Sequence, residues 1–253
     1  MRVDTLKRDG KPDLSYVANF VDDVSPVVIF VHGFKSDKGG IKAVYLEEQC
    51  AQKGYSYIRF DCSAHGDSGG EFAECCISSW TDDLLGIMGL CEDRRVILIG
   101  SSMGGWLSLL AARRCPDKVA GFIGIAAAPD FTDEIFYDRL GQKERDVILE
   151  QGQIDIPSGY EDSLYTISKL LIEDGRKNFL LEESQPQISC PVRLLQGKED
   201  RDVPWEKALK IEEIVGSQDC KVILIEDGDH RLSRESDLEI LMACIDELYQ
   251  TAS

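Results

Sequence analysis

Short, unbroken apolar runs punctuate the chain and alternate with stretches whose apolar residues recur at helical spacing. Val27–Val31, Tyr55–Phe60, Val96–Ile99, Val119–Ala126, Val192–Leu195 and Val222–Ile225 read as strands. Between them, Tyr45, Leu46, Gln49 and Cys50 predict a helix begun near Gly40. Trp80, Leu84, Leu85, Ile87 and Met88 predict a second, and Trp106, Leu107, Leu109 and Leu110 a third. Trp205–Ile214 and Leu238–Leu248 supply the last two. Ser56, Arg59 and Arg193 apart, the strand runs are continuously apolar and not alternating, which is the pattern of a sheet covered on both faces. Strand–helix–strand repetition implies parallel order through right-handed crossovers. The expected fold class is α/β: a mostly parallel, doubly wound sheet with helices on both faces. In such a sheet, ligands bind at the carboxyl ends of the strands.

One stretch breaks the rhythm. About sixty residues between Pro129 and Cys190 contain no obvious central strand. Phe131, Ile135, Phe136 and Leu140 suit one helical face and Leu164 to Leu171 another, with a turn at Ile156-Pro157-Ser158-Gly159. An insertion leaving a strand's carboxyl end reads as a small helical lid. The chain then divides into a core of residues 1–130 and 190–253 and a lid insertion of residues 131–189. The alternative is an ordinary pair of packing helices.

Composition narrows the function. The 253 residues carry 46 acids against 28 bases, a net charge of −18. Nucleic acids and anionic membranes are bound through basic patches, so neither is an expected partner. No run of eighteen apolar residues exists to span a bilayer. Met1 to Pro12 alternates charges and lacks the apolar core of a signal peptide, so a cytoplasmic location is expected. The nine cysteines include no C-x-x-C pair and read as reduced thiols filling the core. Cys75, Cys76 and His65 are a conceivable metal cluster, but their spacing matches no zinc pattern, and no metal is expected.

The run Arg95-Val96-Ile97-Leu98-Ile99-Gly100-Ser101-Ser102-Met103-Gly104-Gly105-Trp106 is strand, G-x-S-x-G, then helix. That context is what the motif needs: a sharp strand-to-helix turn strains the central Ser, and its neighbours two away must be small. Ser102 is the candidate nucleophile, with a helix N-terminus aimed at developing negative charge. A serine hydroxyl needs a base. His32 closes the first apolar strand, His65 lies in the Gly-rich loop Ser63–Gly70, and His230 follows the last strand. In the chain order Ser, acid, His, only His230 qualifies. The acid that orients the imidazole belongs in the loop Gln196–Trp205, where Glu199, Asp200 and Asp202 compete.

These residues resemble the α/β-hydrolase superfamily over nearly the whole chain. The matching features are His32-Gly33, Asp61 through Gly69, the elbow around Ser102, Asp200-x-x-Val203-Pro204 and Gly228-Asp229-His230. The resemblance implies Asp200 as the acid, with Asp202 the alternative, and the backbone N–H groups of Phe34 and Met103 as the oxyanion hole. It makes His65 a structural residue. A closer likeness, carried by Ser101–Leu107, Ile58–Asp61, Cys190–Leu195, Val203-Pro204-Trp205 and Asp229-His230-Arg231, is to α/β-hydrolase-domain enzymes of the palmitoyl-thioesterase and acyl-glucuronide-esterase type and their bacterial relatives.

The resemblance implies a serine hydrolase acting through an acyl-enzyme, without metal or cofactor. Its expected substrate is a small-molecule or acyl-protein ester or thioester. The lid should line an acyl pocket, with Phe136, Ile156 and Tyr160 as candidate wall residues, and the acidic surface argues against substrates with carboxylates near the scissile bond. Fold alone does not exclude a peptidase, a C–C bond hydrolase or a non-catalytic binding protein.

Overall fold

The structure, a computed structural model, describes residues 2–157, 164–182 and 188–252. Its centre is an eight-stranded sheet of order β1-β2-β4-β3-β5-β6-β9-β10. The strands are β1 (Val3–Leu6), β2 (Leu14–Asn19), β3 (Val27–Val31), β4 (Ser56–Phe60), β5 (Val96–Ser101), β6 (Val119–Ile125), β9 (Val192–Gly197) and β10 (Cys220–Ile225). β1 and β2 pair antiparallel, as do β2 and β4; every other neighbour is parallel. β3, β5, β6 and β9 are buried at every position, as their mostly apolar runs require; within β9 the buried Arg193 is paired with Asp219 and Glu247.

Helices cover both faces. α1 (Ile41–Lys53) and α7 (Glu235–Ala252) lie on one, where Ala43, Leu46, Leu238 and Leu248 pack with Val28, Ile97 and Ile123 of the sheet. α2 (Ile77–Gly89), α3 (Met103–Arg114) and α6 (Glu206–Ile214) lie on the other, packing Trp80, Trp106 and Ile211 against Ile29, Leu98 and Phe122. This is the doubly wound sheet expected from the pattern. The N-terminal β1–β2 hairpin was not. β1 is an edge strand whose residues alternate between exposed and half-buried, so it holds only two apolar residues and reads as a charged tail.

The insertion between β6 and β9 is more mixed than a helical lid. Thr132–Phe136 is a turn of π-helix and Tyr137–Arg139 a 3₁₀ turn, followed by α4 (Gln142–Gln151). Two strands come next, β7 (Gln153–Pro157) and β8 (Leu164–Ser168), then α5 (Lys169–Lys177). The helix expected over Leu164–Leu171 is therefore a strand up to Ser168. There the Ser168 hydroxyl accepts the Leu171 N–H at 3.0 Å and caps α5. Gln153-Ile154-Asp155-Ile156-Pro157 alternates polar and apolar with period two, the strand pattern. Pairing Ile154 with Ile167 and Ile156 with Tyr165 turns four apolar side chains to one face, against the core. The Ser158-Gly159 turn and Tyr160 lie outside the described residues.

Asp130 ties the legs of the insertion together. It sits at φ 62° just before the π turn, and its carboxylate accepts the N–H groups of Leu180 (2.9 Å) and Leu181 (2.9 Å).

Candidate active site

Ser102 stands at the β5–α3 junction with φ 52° and ψ −116°, a strained conformation for a non-glycine residue. Its neighbours show why the turn needs glycines. A Cβ on Gly100 would lie 2.3 Å from the Gly104 carbonyl oxygen, and one on Gly104 would lie 2.1 Å from that of Val31. Ser102 N–H donates to Ile125 O at 2.9 Å, pinning the elbow to β6. Met103 opens α3, and its amide is one of the first-turn donors that have no acceptor within the helix.

His230 follows β10, and its Nδ1 lies 2.9 Å from Asp200 Oδ2. Of the three acids in the β9–α6 loop, Asp200 makes this contact. Glu199 is exposed, and Asp202 contributes its backbone N–H to Asp200 Oδ1 at 2.9 Å, alongside that of Val203 at 2.9 Å. Gln196 Nε2 donates to Asp200 Oδ2 at 2.9 Å. The carboxylate is fully screened from solvent, which opposes its charge. Its bond to His230 and the two amides outweigh burial and hold its pKa below the usual carboxylate range.

The other two histidines are braces. Cys62 N–H donates to His32 Nε2 at 3.0 Å, and His32 Nδ1 lies 2.8 Å from the Gly33 carbonyl oxygen. Lys35 N–H donates to His65 Nε2 at 3.2 Å, and His65 Nδ1 lies 3.0 Å from the Ser63 carbonyl oxygen. In each ring one nitrogen accepts and the other donates, so both imidazoles are neutral. Burial pulls the His65 pKa down to about 3 and lowers that of His32. Together they clamp the turn His32–Lys35, which carries Phe34. With both His65 nitrogens engaged by backbone, the residues Cys75, Cys76 and His65 do not form a donor set. Among the described residues, the group of metal-ligating side chains that converges is Asp200, Asp202 and His230, the acid–imidazole pair itself.

A cavity of about 480 Å³ opens over these groups, lined by Ser102, His230, Phe34, Val203 and, from the insertion, Phe131, Ile135 and Tyr165. Phe34 is the hub of its apolar wall, with ring centroids of Phe136, Tyr165 and Phe131 at 5.2, 5.3 and 5.7 Å. Of the expected wall residues, Phe136 packs behind Phe34, and Ile156 stops short of the wall that its longer cross-strand partner Tyr165 reaches. Lys35, Lys42 and Arg231 also line the cavity, and no sequence motif marked them.

A mostly parallel sheet with a serine elbow and an Asp–His pair at its carboxyl edge defines an α/β-hydrolase. The serine aminopeptidase, S33 family model matches residues 22–152, and the chain belongs to this hydrolase family. Among curated proteins it is similar to the mitochondrial palmitoyl-protein thioesterase ABHD10 of Mus musculus, 36% identical over 98% of this chain and 82% of the relative. The solved structure of α/β hydrolase domain-containing protein 10 from mouse superposes with a TM-score of 0.88 at 36% identity, covering all of both chains. A crystal structure from Agrobacterium vitis S4 superposes with a TM-score of 0.91 at 33% identity over 98% of each chain.

Proposed function

We propose that this hydrolase cleaves carboxylic esters and thioesters of apolar acyl groups through a Ser102–His230–Asp200 triad. The observation that carries the reading is His230, bonded to the screened Asp200 carboxylate, lining the same cavity as the strained Ser102. With Nδ1 bound to Asp200, His230 Nε2 takes the Ser102 proton as Oγ attacks the carbonyl carbon. The Phe34 and Met103 amides hold the oxyanion; losing one such donor typically costs about 10²–10³ in rate. His230 then returns the proton to the departing alcohol or thiol, and later activates the water that frees the acid and regenerates Ser102. Residues 131–189 act as a lid whose Phe131, Ile135 and Tyr165 hold the acyl chain. The palmitoyl-thioesterase name of the 36%-identical relatives supports thioesters as a substrate class.

A ladder of p-nitrophenyl esters and matched thioesters tests this. Each buried methylene is worth up to about 0.8 kcal/mol, so kcat/KM should climb over the short to medium chain lengths. A profile flat beyond two carbons would show that the lid forms no acyl pocket. The family model's aminopeptidase name favours a second reading, peptide cleavage, and efficient turnover of aminoacyl amides in the same panel would favour it over the first.

A further inference from the structure

The two donors assigned to the oxyanion are held in different ways. Met103 N–H opens α3 and is fixed by the helix that follows. Phe34 N–H belongs to a turn. Two bonds of 3.2 Å tie that turn, Lys35 N–H to His65 Nε2 and Ser36 N–H to Gly33 O, and Lys35 sits at φ 56°. The turn runs against the nucleophile, since a Cβ on Gly33 would lie 3.4 Å from Ser102 Cβ. Phe34 N–H itself meets no acceptor among the described residues, so no hydrogen bond of its own sets its direction. What anchors Phe34 is its ring.

Five aromatic rings surround that of Phe34. Phe72 and Trp80 of the core approach it at 5.2 and 5.9 Å, and Phe131, Phe136 and Tyr165 of the insertion supply the rest. Phe131 and Tyr165 line the cavity, where an acyl chain would touch them; Phe136 is buried and stands outside the lining. The π turn Thr132–Phe136 explains its place. Hydrogen bonding from i to i+5 widens the turn and brings residues five apart to one side, and the rings of Phe131 and Phe136 meet at 5.3 Å. Neighbours hold the turn. Glu134 pairs with Lys207 of α6 and Asp133 with Arg176 of α5 at 2.9 Å, and a Cβ on Gly175 of α5 would meet Thr132 Oγ1 at 2.2 Å. A well-held π turn thus sets the Phe136 ring behind the turn that carries the Phe34 donor.

We propose that Phe136 is a positioning residue for the oxyanion donor: by holding the Phe34 ring it holds the Phe34 N–H beside Ser102, so that the insertion governs the rate of acyl transfer as well as acyl binding. This rests on the hydrolase reading of the same cavity. An oxyanion donor stabilises the transition state to the extent that it already stands where charge develops. A misplacement of about 1 Å costs on the order of 10²-fold in rate. Because Phe136 acts through Phe34 and not on the acyl chain, its contribution is the same whatever the acyl group.

p-Nitrophenyl acetate, butyrate and octanoate separate positioning from acyl binding. Phe136→Leu and Phe136→Met keep most of the side-chain volume, and near-ultraviolet circular dichroism matching wild type shows that the fold is retained. Each should lower kcat about tenfold on all three esters, acetate included, and leave KM within about twofold. Affinity for a butyl trifluoromethyl ketone, whose adduct on Ser102 carries the oxyanion, should weaken by the same factor as kcat. Phe34→Leu should cause a similar fall, and Phe34→Leu/Phe136→Leu little more than either alone, because the second change removes a contact already lost. A defect that grows with chain length and sits in KM would place Phe136 in the acyl wall and overturn the proposal. So would an unchanged kcat on all three esters, or independent effects of the two substitutions. If wild type neither hydrolyses any of the esters nor binds the ketone, it is the hydrolase reading that fails, and the proposal falls with it.

Discussion

Ser102 and His230 line one cavity, with Asp200 bonded to His230, because each of the three follows a strand of the same sheet. The Asp200→Asn side chain would still accept the Val203 N–H, but its amide would face His230 Nδ1 as a donor. The imidazole would then hold the wrong tautomer for accepting the Ser102 proton, and kcat should fall by about 10⁴ with the fold retained. Asp202→Asn, whose contribution to the pair is a backbone amide, should keep most of the activity; the reverse ranking in a steady-state assay would move the acid to Asp202. Gly104→Ala tests the elbow itself. The added Cβ meets the Val31 and His32 carbonyl oxygens at 2.1 and 2.7 Å, backbone that cannot step aside, so urea titration should show a loss of about 3 kcal/mol or more, or no folded protein.

At the scale of elements, the insertion depends on how its legs are anchored. Burial raises the Asp130 carboxyl to about 6, against the amides of Leu180 and Leu181 that favour its charge. A carboxyl whose pKa is higher folded than unfolded costs stability as pH rises through that interval. Asp130→Asn keeps an acceptor for those amides and removes the charge. It should raise stability by about 1–2 kcal/mol at pH 8 and lose the advantage near pH 4, where the wild-type carboxyl is protonated. A less stable variant at pH 8 would mean that the ionised carboxylate is what holds the legs.

The core strands and the helices over them were legible in the sequence because β3, β5, β6 and β9 are buried on both faces and therefore mostly apolar, with Arg193 and Gln196 of β9 among the buried exceptions. The elbow was legible because its geometry admits only small residues at 100 and 104. The insertion was harder: residues 164–168 contain apolar side chains at spacings that fit either a helix or a strand, and only pairing with Gln153–Pro157 decides. Lys42 gave no signal as a cavity residue, since the His230 loop packed against it lies nearly two hundred residues away in the chain.

For the whole molecule, the two buried neutral histidines set the response to acid. His65 has a folded pKa of about 3, and ordinary imidazole titrates near 6.5. Unfolding therefore takes up a proton there between those values, and the stability it contributes is present above pH 6.5 and lost as pH falls. His32, shifted in the same direction, adds to the loss. The slope is at most about 1.4 kcal/mol per pH unit per histidine. His65→Gln should make stability measured between pH 4 and 6 less steep by close to one proton; an unchanged slope would place the acid response elsewhere. The central claim, that turnover passes through an acyl group on Ser102, is tested most directly by acid-quenching the enzyme during steady-state hydrolysis of a butyryl thioester and mapping the digest by mass spectrometry. One butyryl adduct on the peptide carrying Ser102, absent from Ser102→Ala, is the expected result. Turnover that persists in Ser102→Ala, or an adduct on one of the nine cysteines in place of Ser102, would contradict it.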